Sequence, residues 1–169
     1  MKHKNQLAVF AVTAAELGLA AHILGEAVPR SRFRPEQPPF APWNWEQDGR
    51  FYRKHLKIEK WKHLLPDKSL FLRKMVRKRV DSDASAAHLE MLAQETCVAE
   101  ATHWALLACS PLFARRMERP PGVTASLLYA VSHLPFIAVQ RYNRPRLLRT
   151  AKLTTRLEAC NATIDPLQQ

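Results

Sequence analysis

TCVAEATHWALLACSPLF, residues 96–113, runs for eighteen residues without a lysine or arginine, in a 169-residue chain that carries 26 of them. Such a run approaches the ~20 residues a helix needs to cross the hydrocarbon of a bilayer. Two similar blocks lie on either side, LAVFAVTAAELGLAAHILGEAV (7–28) and GVTASLLYAVSHLPFIAV (122–139). The three blocks predict an all-α chain, a small helical membrane bundle with about three membrane segments. The formal net charge of +11 would by itself suit nucleic acid or an anionic membrane surface. The apolar blocks decide for the membrane and its anionic lipids, and against nucleic acid.

Working outward, the chain reads as one membrane domain over 1–169. Residues 7–28 form the first transmembrane helix. A cleaved signal peptide is the alternative after Lys2 and Lys4, and Glu16, His22 and Glu26 within the block fit neither reading well. Residues 29–49, with Pro29, Pro35, Pro38, Pro39 and Pro42, form an extended connector. Residues 50–80 predict basic amphipathic helices in the headgroup layer. In RFYRKHLKIEKWKHLL (50–65), Phe51, His55, Ile58, Trp61 and Leu65 share a face, and Leu70–Val80 repeats the pattern. Asp81-Ser82-Asp83 is the expected cap of a long helix. Residues 84–113 and 122–139 form a helical hairpin, bent or ended near Pro111, with a re-entrant hairpin as the alternative to two full crossings. Residues 140–169 form a basic tail.

Three crossings place 21 basic residues on one side of the membrane and five on the other. The positive-inside rule then expects a cytoplasmic basic loop and C-terminus, with the N-terminus outside. Cys97, Cys109 and Cys160 show no metal-ligand spacing and read as reduced thiols.

Ionisable groups in hydrocarbon are costly and point to function. At 100° per residue, Thr96, Glu100, His103, Leu107 and Ser110 form one stripe, and Ser126, Tyr129, His133 and Gln140 another. Antiparallel helices should turn such stripes towards each other. His103 lies seven residues past Thr96 and His133 six before Val139, so both are expected roughly 10 Å below the same membrane boundary. At that boundary stands QRYNRPR (140–146), a dense donor set suited to phosphate or carboxylate. The expectation is a Glu–His pair at the bottom of a pocket with a basic mouth; interhelical glue is the alternative use of the stripes. Glu100-x-x-His103 is half of a di-iron pattern with no second copy, so no metal is expected. No histidine is followed five positions later by aspartate, and no nucleophile elbow occurs. Cys97 is a candidate acyl-carrying nucleophile, though more often such a residue is a small buried hydrophobe.

Three segments carry a resemblance to a known family: WEQDGRFYRKHLKIEKWKHLLPD (45–67), ETCVAEATHW (95–104) and YAVSHLPFIAVQRYNRPRL (129–147). The chain resembles the bacterial glycosyl-4,4'-diaponeurosporenoate acyltransferases. The resemblance implies a multi-pass membrane enzyme that esterifies a sugar hydroxyl of a glycosylated carotenoid, or of another glycolipid, with a fatty acyl group. It implies no assigned nucleophile or base, and Cys97 falls on a variable position of the pattern. The helix reading makes His103, oriented by Glu100, the base. Arg141, Asn143, Arg144 and Arg146 hold donor phosphates or the oxyanion, with Gln140 and Tyr142 beside them. His133 and Tyr129 line the pocket, and Glu46 and Trp61 hold the amphipathic helix over its mouth. No bound cofactor is expected; acyl-CoA or another acyl thioester is the co-substrate and a lipid the acceptor. Two other classes compete: a non-enzymatic module holding anionic lipid or a partner protein, and a small membrane reductase or methyltransferase. The sequence sets no oligomeric state.

Overall fold

The computed structural model describes residues 5–65 and 84–164. The elements are helices α1 (Gln6–Ala27), α2 (Arg50–Lys54), α3 (Ala86–Cys109), α4 (Pro111–Arg116) and α5 (Pro121–Ile164), with short 3-10 turns between α1 and α3. No strand occurs among the described residues. Three stretches, Gln6–Ala27, Ala86–Arg116 and Pro121–Cys160, are long and apolar enough to cross a membrane. The all-α membrane architecture expected from the apolar blocks is the one observed.

The chain divides into two compact units. The first comprises Met1–Arg32 with Val98–Ala138, the second Phe33–Cys97 with Val139–Gln169. In the first, α1 begins where the Asn5 side chain accepts from the Leu7 and Ala8 N–H groups at 3.1 and 3.3 Å, satisfying two of the orphan donors of a helix start. Leu7, Leu19 and Leu24 of α1 are more than half exposed, as lipid-facing side chains are. Thr13 is the buried exception. It meets Arg116 Nη1 at 3.4 Å, and the same guanidinium bonds the Glu16 carboxylate. The acidic residue that sat awkwardly in the first apolar block therefore has a countercharge from α4. Phe10 packs on Phe113, ring centroids 5.0 Å apart.

The second unit departs from the expected amphipathic helix over 50–65. The helix stops at Lys54, Lys57 adopts the left-handed region (φ 48°), and the chain continues as 3-10 turns over Ile58–Lys60 and Lys62–Leu64. The reason is packing. Tyr52 and Ile58 are both buried, yet six residues on one straight helix set side chains about 120° apart. The turn at Lys57 lets both face inward. The stretch 70–80 and the 81–83 cap lie outside the described residues. Ser85 caps α3 instead, its hydroxyl accepting from His88 N–H at 3.3 Å. α3 ends at Cys109 and α4 starts with Pro111 at its first position, where a missing N–H costs nothing.

α5 runs for 44 residues, past the point at Val139 where the apolar block ends. Backbone hydrogen bonding is indifferent to the change from apolar to basic side chains, so the helix continues through the QRYNRPR motif, whose side chains point around it over nearly two turns. It also contains Pro135 and Pro145. All three cysteines are thiols; Cys97 is fully buried and donates to the Ala93 carbonyl at 3.5 Å.

Candidate functional site

In the first unit the polar edges of α3 and α5 meet as their spacing predicts. His103 Nδ1 and His133 Nδ1 are 3.0 Å apart, so one nitrogen carries the shared proton and the other accepts it. The contact places the two residues level with each other along their helices. Phe136 stacks on His103 at 4.5 Å, and Tyr129 stands edge-on to His133 at 4.6 Å. His133 is 8% exposed and His103 half-buried. Glu100, 2% exposed, accepts from the Trp104 indole at 3.3 Å. Ser126, also buried, accepts from Ala114 N–H at 3.0 Å and donates to the Gly122 carbonyl, tying the start of α5 to α4.

In the second unit, two of the arginines expected to hold a ligand are enclosed by protein. Arg141 forms a two-pronged pair with Glu46, Nε to Oε1 at 2.5 Å and Nη2 to Oε2 at 2.8 Å. It also donates to the carbonyls of Pro39 and Ala41 and stacks on Trp43 at 4.0 Å. Arg144, 1% exposed, donates to the Thr96 hydroxyl and carbonyl at 2.9 and 3.1 Å and to the Phe40 carbonyl at 2.6 Å. Both therefore bind the proline-rich connector, whose carbonyls lack the regular partners a helix or sheet would supply. Glu46 is the centre of this arrangement. Trp61 donates to the Leu56 carbonyl at 2.8 Å and closes its own turn.

Burial alone would raise the Glu46 carboxyl. Hydrogen bonds from Arg141, the Tyr52 hydroxyl and the Trp43 N–H outweigh it and hold Glu46 below the ordinary carboxylate value. Burial and the Glu46 charge push the Tyr52 phenol up. Because Glu46 is lowered on folding, its pairing contributes full stability above the unfolded value of 4.5 and loses it as pH falls through the lower folded value. The stability difference between wild type and Glu46→Gln is expected to be constant from pH 8 to about pH 5 and to shrink below about pH 4.5. Thermal unfolding of the detergent-solubilised proteins across that range measures it; a gap unchanged down to pH 2 would count against the pairing.

A cavity of about 370 Å³ in the second unit is lined by the polar Lys62, Thr96, Gln140, Asn143, Arg146 and Thr150 and the apolar Leu89, Leu92 and Leu147. Burial, and next the Arg146 charge, hold the Lys62 ammonium below the ordinary lysine value. Tyr142, buried, donates to Glu59 and accepts from Arg146. Lys62 was not singled out from the sequence. It follows Trp61 within the 45–67 segment that carries the family resemblance. No group of three or more His, Cys, Asp or Glu that could hold a metal occurs among the described residues.

Residues 30–153 match the family model described as glycosyl-4,4'-diaponeurosporenoate acyltransferase, a range that includes every candidate residue above. Among curated proteins, a glycosyl-4,4'-diaponeurosporenoate acyltransferase of Staphylococcus aureus (strain MRSA252) is 31% identical over 136 residues, covering 79% of this chain and 80% of the relative. The proteins of the same name in the bovine strain RF122 / ET3-1 and strain N315 are 30% and 29% identical over 134 residues, with the same coverage. No solved structure matches.

Proposed function

The chain belongs to the glycosyl-4,4'-diaponeurosporenoate acyltransferase family, and from that premise we propose that it transfers a fatty acyl group from an acyl thioester, such as acyl-CoA, to a sugar hydroxyl of a glycosylated carotenoid or related glycolipid. The observation that carries the chemistry is the pairing of His103 with His133 on two apolar helices. A neutral imidazole there takes the proton of the sugar hydroxyl as its oxygen attacks the thioester carbonyl. The tetrahedral intermediate collapses, the C–S bond breaks, and the departing thiolate receives that proton. His103, the more open of the two, is the base; His133 and Tyr129 position it. Glu100 supplies a nearby countercharge for the imidazolium that forms. Arg141 and Arg144 act as positioning residues through the connector, a change from the ligand-holding role read from the sequence.

In this reading the basic loop and C-terminus face the cytosol, where soluble acyl thioesters are available. Inverted membrane vesicles containing the protein should therefore move label from acyl-CoA into an alkali-labile ester of the glycosylated acceptor, and right-side-out vesicles should not. Vesicles of either orientation that hold the inserted protein, the acceptor and the labelled donor, yet form no ester, would overturn the proposal.

A further inference from the structure

The cavity of the second unit has a composition that its own packing does not require. Gln140 is 8% exposed, lines the cavity, and its amide bonds to no described residue; the same holds for the half-buried Asn143. Both amides are therefore available to a ligand in the cavity. Beside the two amides stand two cations, Lys62 and Arg146. The countercharge near Arg146 is Glu59, 3.9 Å away, half exposed and already accepting from Tyr142. The same cavity is lined by the apolar Leu89 and Leu92, both almost fully buried.

We propose that this cavity binds the phosphate of an amphiphile, with the phosphate oxygens on Lys62, Arg146, Gln140 and Asn143 and the first part of an apolar chain against Leu89 and Leu92. Two cations and two amides offer more donors than the two oxygens of a carboxylate accept in one plane; a phosphate presents three or more oxygens in a tetrahedron. A volume of about 370 Å³ lies at the lower end of ligand sites and suits a headgroup with a short length of chain. The phosphate has two sources of the same chemistry, the carrier of an acyl thioester or a membrane phospholipid. The assignment to the donor's carrier rests on the acyl-transfer reading; the phosphate site itself does not.

Octyl phosphate, titrated calorimetrically into the full-length protein in maltoside detergent, tests the site. Wild type should bind it, and Lys62→Gln and Gln140→Leu should each weaken binding about tenfold or more, with Lys62→Arg retaining most of it. Competition by a non-hydrolysable S-alkyl-CoA identifies the carrier as the source, and competition by short-chain phosphatidylglycerol identifies phospholipid; either result supports the site. No binding to wild type, or equal binding to all variants, overturns it. Phosphate binding without acyl transfer would leave the site standing and remove the enzymatic reading. Acyl transfer alongside octyl phosphate binding that is indifferent to Lys62 and Gln140 would do the reverse.

Discussion

The Glu46→Ala protein is expected to lose about 3–5 kcal/mol of the stability of its second unit, because it leaves the Arg141 guanidinium buried and unneutralised. The two side chains are 3% and 1% exposed, so water cannot replace the missing carboxylate. The remaining bonds from Arg141 go to backbone carbonyls of residues 39 and 41, which carry no compensating charge. Tyr52 would lose its acceptor in the same step. Arg141→Ala should cost a similar amount for the mirror-image reason. The double variant should cost clearly less than the sum, since the residues share one interaction. Unfolding of the solubilised proteins by SDS or heat measures each term. Single losses below about 1 kcal/mol, the range of exposed ion pairs, would show that the pair is not the anchor of the connector.

His103→Ala and His133→Ala are each expected to lower acyl transfer about 10²- to 10⁴-fold, the usual contribution of a positioned base. Because one imidazole accepts from the other, the double variant should be little worse than either single one. The alternative use of the stripes, as interhelical glue, predicts something else. Such hydrogen bonds are worth about 0.6–2 kcal/mol of helix association. Their loss would lower the amount of folded protein while activity per folded molecule stayed near wild type. Rates normalised to the inserted protein in each membrane preparation separate the two cases, and normalised rates within about threefold of wild type would remove the histidines from the reaction.

Much of the fold was legible because it depends on local periodicity. Apolar runs near the thickness of a bilayer reported the membrane helices, and a 100° step placed His103, Tyr129 and His133 on the edges that meet within the first unit. Counting rise per residue from the ends of two antiparallel blocks set His103 and His133 at one level, and the two imidazoles lie 3.0 Å apart. Pro111 marked a helix break, whereas Pro135 and Pro145 lie inside α5.

Other features were decided only by tertiary structure. In QRYNRPR, six of seven residues carry side-chain donors, spread around nearly two turns of one helix, and nothing local distinguishes an arginine that meets a ligand from one that meets a carbonyl. The connector made the distinction: Glu46 and the carbonyls of residues 39–41 fold onto Arg141 and Arg144, leaving Arg146 with Gln140 and Asn143 at the cavity. The turn at Lys57 was hidden for the same reason, since burying Tyr52 and Ile58 together is a demand of the packed unit. Residue type and spacing determine which side chains a helix presents along each edge. Which charges end up enclosed depends on the partners that distant segments bring, because a buried charge persists only where another part of the chain replaces the water it has lost.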